Sequence, residues 1–447
     1  MASPSRFQRI LKLLALHRPE LRAWAMYDWA ITGFYAVVVV TVFPIYFSDV
    51  AAPHLSDQQA TQRLGFLTTA ALISAGVVAP ILGALTDYLA VKKRLLGTFA
   101  GLGVAAVAGM YFIHEGDLVL ASILFIIANV GVNASVVFYD ALLPHIARRE
   151  EIDRVSTAGF AVGYLGATLI LVATLVLLLQ PQWFGFSEGS LTPVRLSFLG
   201  VALWWGVFTI PLLLRVPEPP LEVDEEDIGV TEAIHKGLVG LKRTFGEVRG
   251  YRHAFLFLIA FLIYNDGIST IVRMATIYGR ELQFEQELLI GAIILVQVVG
   301  IPCSFLFGIV ADRVGTKATL LFGLFVYAVI SVFAYFMTNA THFLILAAMV
   351  GLVQGGTQAL SRSLFASMIP RYLSGRFFGF FAVFERFSGI AGPFVFAMVS
   401  AYFDSSRPGI LSIILFFIVG AIILLFVDVD EGRAKARQAE KEAEELL

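Results

Sequence analysis

The chain has 447 residues, 58% of them hydrophobic, 13% aromatic and only 15% charged, against roughly 25% charged in an average soluble protein, which excludes a water-soluble globular fold. A formal net charge of −2 provides no basic field for nucleic acid. The single cysteine, Cys303, lies inside an apolar run, so neither a disulfide framework nor a thiolate metal centre is expected, and no cofactor is implied.

Residues 1–23 form a basic surface segment whose apolar core is too short for a signal peptide. Phe7, Ile10, Leu11 and Leu14 fit one face of a helix lying on the membrane, although a frayed tail fits equally. Crossing about 30 Å of hydrocarbon takes roughly 20 apolar residues. Twelve runs qualify: 24–47, 64–85, 95–113, 118–139, 155–179, 195–214, 253–277, 287–309, 318–337, 343–361, 377–402 and 409–427. Helices are the expected form, because hydrocarbon cannot satisfy open backbone groups and the runs are too long for barrel strands. The expectation is therefore an all-α membrane protein with twelve transmembrane helices in two six-helix bundles, 24–214 and 253–427.

Between them, 215–252 reads as a linker. Pro217-Glu-Pro-Pro220 ends the sixth run and an acidic stretch follows at 222–227. Then Val230, Ile234, Leu238, Leu241, Phe245 and Val248 recur at helical spacing, which predicts a surface helix. The tail 428–447 is a charged, solvated helix or coil. Counting 86–94, 140–154 and 362–376 as loops of one face places 26 of the 32 Lys and Arg on that face with both termini. The opposite face holds only Arg63, Arg195, Arg280 and Arg407. By the positive-inside rule both termini are cytoplasmic.

Two turns repeat across the halves. Gly83-Ala-Leu-Thr-Asp87-Tyr-Leu-Ala-Val-Lys92-Lys93-Arg94 follows the second run, and Gly308-Ile-Val-Ala-Asp312-Arg313-Val-Gly315-Thr-Lys317 follows the eighth. Asn129 and Asn133 in the fourth run correspond likewise to Gln354 and Gln358 in the tenth, each pair spaced i, i+4 on one helix face. The duplicated Gly-x-x-x-Asp turn with its basic cluster resembles the signature loop of the major facilitator superfamily, and the second copy matches it more fully than the first. That resemblance implies two pseudo-symmetric bundles around a central path. It also implies that Asp87 approaches the start of the eleventh run near 374–377, and Asp312 the start of the fifth near Val155 and Ser156. There a carboxylate would meet the positive end of a helix and close a gate; a static turn cap would leave the same sequence.

Charge at bilayer depth costs on the order of 3 kcal/mol on an isolated helix, so Asp28, Asp266, Arg273, Glu385 and Arg386 are candidates for function. Asp266 near the middle of the seventh run, with Tyr264 and Asn265, reads as a substrate or proton site. Arg273, two turns on, reads as a site residue or as half of an internal ion pair. Asp28, beside Tyr27, is a site or an anchor one turn inside its helix. Glu385 and Arg386 are adjacent and are expected to point apart, with Glu385 able to carry a proton. The Asn and Gln pairs can donate and accept together, which suits a solute with amine and carboxylate groups, or they glue helices. Gly159, Gly163 and Gly166, with Gly389, Gly392 and Pro393, are expected to pack the bundle interface.

Within the superfamily, Trp24-Ala-Met-Tyr-Asp-Trp-Ala30, Phe43-Pro-Ile-Tyr-Phe47, Phe138-Tyr139-Asp140 with Leu143-Pro144, Gly163-Tyr-Leu-Gly166 and Tyr264-Asn-Asp-Gly267 resemble the autophagy-related vacuole-effluxer branch. Fungal members of that branch export amino acids from the vacuole, so the resemblance implies efflux of an amino acid or related metabolite by rocker-switch alternating access. The acidic residues permit proton coupling. Short loops and tails favour the plasma membrane over a vacuole, with lipid, a small solute and protons as partners and a monomer as the unit. No phosphate loop and no Gly-x-Gly-Asp partner for Tyr27-Asp28, Tyr139-Asp140 or Asn265-Asp266 is present, so no enzyme is expected. A receptor or scaffold with the same fold, or a lipid or drug exporter, is the alternative.

Overall fold

The computed structural model describes residues 6–88, 90–219, 246–281 and 284–445. Among them, twelve helices are long and apolar enough to cross a membrane: α1 (Pro19–Ala51), α2 (Asp57–Tyr88), α3 (Lys92–Phe112), α4 (Leu118–Ile146), α5 (Ile152–Leu179), α6 (Thr192–Arg215), α7 (Arg252–Glu281), α8 (Gln286–Val314), α9 (Thr316–Tyr335), α10 (Ala340–Ser367), α11 (Arg371–Phe403) and α12 (Ser406–Leu425). They form two pseudo-symmetric bundles, α1–α6 and α7–α12. The first and last described helices, Arg6–Leu13 and Val429–Glu445, lie on one face, here the terminal face. The linker helix expected from the 230–248 pattern falls largely on 220–245, outside the described residues.

Two spans are irregular for reasons the sequence supplies. In α1 the backbone widens to π geometry over Tyr35–Val42. Six consecutive β-branched residues from Val37 through Val42 crowd the turns there, and Pro44 removes the N–H that would bond one turn back. α11 divides into α11a (Ser374–Phe387) and α11b (Ala391–Phe403), separated at 388–390 where Gly389 takes φ +101°.

At the terminal face the bundles touch through two pseudo-equivalent helix pairs. α2 lies on α11a so closely that a Cβ on Gly83 would fall 2.3 Å from the Gly375 carbonyl oxygen. α5 lies on α8, where a Cβ on Gly308 would fall 2.2 Å from Thr157 Oγ1. The two signature glycines are thus what lets backbones approach across the seam. Contact extends up to Tyr164, twelve residues into α5 and so about 18 Å from its start, whose ring would lie 3.0 Å from a Cβ on Gly300.

Both surface segments are docked. The N-terminal helix (Arg6–Leu13) leads into Leu11, Leu14 and Leu16, which pack with Ala25 and Ala158 against Phe305 of the other bundle. The C-terminal helix (Val429–Glu445) is not the solvated tail expected. Ala436 is fully buried, Arg433 Nε donates to Ser367 Oγ at 3.1 Å, and Lys435 Nζ to the Gly250 carbonyl at 2.6 Å. Glu440 accepts from Arg149 of the first bundle and from the Arg371 backbone N–H of the second. The many charges signalled solvation, but its Ala and Gly residues leave one face flat enough to dock.

Candidate functional site

The first cluster stands where α1, α4, α5 and α10 converge across the seam. Arg362 of α10 enters the first bundle and spends four hydrogen bonds there. Nη1 donates to Asp140 Oδ1 at 3.1 Å, Nη2 to Asp28 Oδ2 at 3.3 Å and to the Ser156 carbonyl at 3.0 Å, and Nε to Ser156 Oγ at 2.9 Å. The guanidinium lies over the rings of Trp24 (4.7 Å), Phe160 (4.8 Å) and Tyr139 (5.4 Å). Tyr139 donates its hydroxyl to Asp28 Oδ2 at 2.7 Å and stacks on Trp24 at 4.4 Å. Arg362, Asp28 and Asp140 are 5%, 7% and 6% exposed, so the charges are withdrawn from water. A planar fork with five donors is the side chain that can serve two carboxylates and a carbonyl at once. Asp28 has two donors and Asp140 one, and the cluster holds one more carboxylate than cation.

Several sequence assignments change here. Arg362 and Asp140 had been placed in loops; both are inside helices, which leaves 25 basic residues rather than 26 at the terminal face. Asp28 is nine residues into α1, about 13 Å deep rather than one turn, and serves neither as an anchor nor at its helix dipole. The glycines of α5 pack mainly inside the first bundle. A Cβ on Gly163 would meet Thr32 and one on Gly166 would meet the Trp29 carbonyl, and only Gly159 also faces Arg362.

Beside the cluster at mid-depth, Arg386 Nη2 lies 3.5 Å from Glu385 Oε2. The expectation that adjacent residues point apart fails because both side chains are long enough to fold back past the 100° helical offset. Tyr35 donates to Asn133 Oδ1 at 3.2 Å, and Arg386 lies beside the Tyr35 ring hydroxyl. Asn129 and Asn133 each donate back to their own helix, to the carbonyls of Phe125 and Asn129. Gln358 Nε2 donates to Asn265 Oδ1 at 2.7 Å; Gln354, one turn earlier, is half-buried. Asp266 sits apart from this group. Its carboxylate accepts the backbone N–H groups of Ala391 (3.0 Å) and Gly392 (2.8 Å), while Arg273 Nη1 donates to the Gly389 carbonyl at 3.2 Å.

Nearer the terminal face, Asp312 pairs with Arg154 in the first turn of α5, so the expected approach to that helix start is made through a side chain. Asp153 accepts from Thr316 Oγ1 at 2.6 Å and Ser363 Oγ at 2.5 Å, and His145 Nε2 lies 2.9 Å from Ser374 Oγ. All of these join one bundle to the other. Lys92 Nζ donates to the Thr86 carbonyl, the Lys93 backbone N–H to Glu218, and Lys317 Nζ to the carbonyls of Leu425 and Val427. Arg94 and Arg313 are exposed, and Gly315 takes φ +93° in the turn into α9. The side chain of Asp87 lies outside the described set.

The family model described as vacuole effluxer Atg22 like matches residues 66–437. The chain belongs to this Atg22-like family. The Atg22-like chain is 34% identical over 417 residues to the uncharacterized MFS-type transporter YxiO of Bacillus subtilis (strain 168), covering 93% of this chain and 96% of that one. It is 25% identical over 308 residues to autophagy-related protein 22-1 of Aspergillus niger, where the match covers 65% of this chain and about half, 49%, of the fungal protein. Among solved structures, the proton:xylose symporter XylE of the major facilitator superfamily superposes with TM-score 0.70 over 92% of this chain and 95% of XylE at 15% identity. This Atg22-like protein is therefore a multi-pass membrane transporter with the major facilitator fold. Sequence reasoning missed Arg362, Asp140 and Asp153 as members of the seam; the available signal was Pro144, which lies inside α4 rather than after it and so extends that helix past Asp140.

Proposed function

We propose that this protein is a secondary active transporter that exports an amino acid or related small metabolite in exchange for protons, by rocker-switch alternating access, with both termini cytoplasmic in the plasma membrane. The observation that carries the reading is the placement of Arg362 from one bundle between Asp28 and Asp140 of the other. Opening the terminal face requires α10 to withdraw from α1, α4 and α5, and withdrawal takes the cation from two buried carboxylates. A buried charge left unpaired costs several kcal/mol, so that state is reached at low cost only when protons or a substrate ammonium neutralise the acids. Asp140, with the fewer donors, is the group of the two that takes the proton.

Tyr35, Asn133, Glu385 and Arg386 supply donors, acceptors and both signs of charge next to the acids, which suits a solute carrying an amine and a carboxylate. In the state described the terminal face is sealed by Arg154–Asp312, Asp153–Thr316 and His145–Ser374. The test is flux of labelled amino acids from proteoliposomes under an imposed pH gradient. Export that runs on the gradient in wild type and stops in Asp140→Asn supports the reading, whereas flux indifferent to the gradient removes proton exchange. A panel of amino acids, amines and sugars that gives no flux removes the solute class.

A further inference from the structure

The break in α11 is held from outside by side chains of two other helices. The leading amides of any helix have no partner within it, and the residue before α11b, Ile390, offers no side-chain acceptor. Asp266 of α7 fills that role with one oxygen on the Ala391 N–H and the other on the Gly392 N–H. Around it, Asn265 Nδ2 donates to Ser388 Oγ at 2.5 Å, Gln358 steadies Asn265, and Arg273 holds the Gly389 carbonyl. A Cβ on Gly392 would fall 2.0 Å from Thr270 Oγ1 and 2.7 Å from Asp266 Oδ1, so α11b can approach this carboxylate only with glycine there.

The two limbs of α11 differ in their neighbours: α11a bridges the bundles, its Phe381 stacked on Phe261 of α7 at 4.5 Å, and α11b stays within one. α11a is pressed onto α2 of the first bundle at Gly375 and Gly379, while α11b lies on α12, where a Cβ on Gly409 would fall 2.9 Å from the Phe396 carbonyl oxygen. When the bundles separate at the terminal face, α11a leaves α2 while α11b stays with its own bundle. The bend between them is taken up at 388–390, where Gly389 already occupies the left-handed region.

We infer that Asp266 is a positioning residue: a helix cap supplied in trans that fixes the pivot of α11, and not a carrier of substrate or proton. The inference rests on the transport reading only for its flux readout, so its main test uses none. In a Cys303→Ser background, Thr157→Cys places one thiol under Gly308 at the seam, and its rate of reaction with N-ethylmaleimide in proteoliposomes reports opening of the terminal face.

Asparagine keeps one acceptor oxygen and puts an amide donor where the second oxygen stood, so it satisfies only one of the two N–H groups. Asp266→Ala is expected to label roughly tenfold faster than wild type, the effect of losing a cap, and Asp266→Asn to label at a rate between the two with an unchanged pH profile. Asp266→Asn losing the wild-type pH dependence overturns the inference, because it shows that the charge is what matters. Asp266→Ala labelling like wild type overturns it too. Should the alanine variant fail to fold, Asp266→Asn decides alone: faster labelling with an unchanged pH profile supports the cap, and wild-type labelling or a changed pH profile overturns it. Flux is measured in parallel, and an absence of amino-acid flux in wild type removes the solute assignment while leaving the thiol result to stand.

Discussion

Tyr27-Asp28 in α1 and Tyr264-Asn265 in α7 occupy equivalent places in the two bundles, and they differ in one atom's charge. Each tyrosine bonds a serine on a neighbouring helix at the same 2.6 Å, Tyr27 to Ser135 and Tyr264 to Ser361. The residue after it diverges. Asp28 accepts from Tyr139 in its own bundle and from Arg362 across the seam, whereas Asn265 is satisfied wholly within its own bundle by Gln358 and Ser388. The tether is duplicated and the charge is not. Because ions in a dry interior must be paired, the acid-rich first bundle depends on the second for its cation, and electrostatic work is done between the bundles.

The most severe way to break this comparison is to remove the shared cation. Arg362→Ala is expected to cost about 3–5 kcal/mol by stranding buried carboxylates and to abolish solute flux, measured by thermal unfolding and proteoliposome export. Arg362→Lys, which keeps the charge and loses the fork, should retain stability better than flux. Making the halves alike, Asn265→Asp is expected to destabilise by roughly 1–3 kcal/mol, since its hydrogen-bond partners among the described residues, Gln358 and Ser388, carry no charge; a variant as stable as wild type would show the asymmetry to be incidental.

The tether itself should be even-handed. Tyr27→Phe and Tyr264→Phe are each expected to cost about 1 kcal/mol, and unequal losses would locate a further difference between the halves. Asp312→Asn weakens a partly exposed pair with Arg154 and should raise thiol labelling at the seam by only about two- to fivefold. The smallest effect concerns Asp428, whose carboxyl the Glu431 backbone N–H holds below the ordinary carboxylate range. That contribution is complete above the ordinary value of about 3.9 and fades as pH falls through the lower folded one. Hydrogen exchange at the start of the C-terminal helix should rise only in acid.

The bundles and both signature turns were legible because hydrocarbon imposes length and apolarity on every span. The site was less so, and for a related reason. An apolar window ends where a helix turns its polar residues toward a protein seam, so α4 was cut at Tyr139 and α10 at Ser361, each one residue before the charge that matters. Asp28 and Glu385 were found because the apolar runs that contain them continue on both sides. Pairing across chain segments as distant as Asp28 and Arg362 leaves no local periodicity to read.

The docking of Glu440 between Arg149 and Arg371 also bears on how the protein is handled in the laboratory. A fluorescent or affinity reporter grafted onto that end hangs from a helix touching both bundles, so under alternating access its bulk would load their separation. Comparing such a fusion with one carried in the loop between α5 and α6, where Trp183 and its neighbours are exposed, separates the behaviour of the transporter from that of its label.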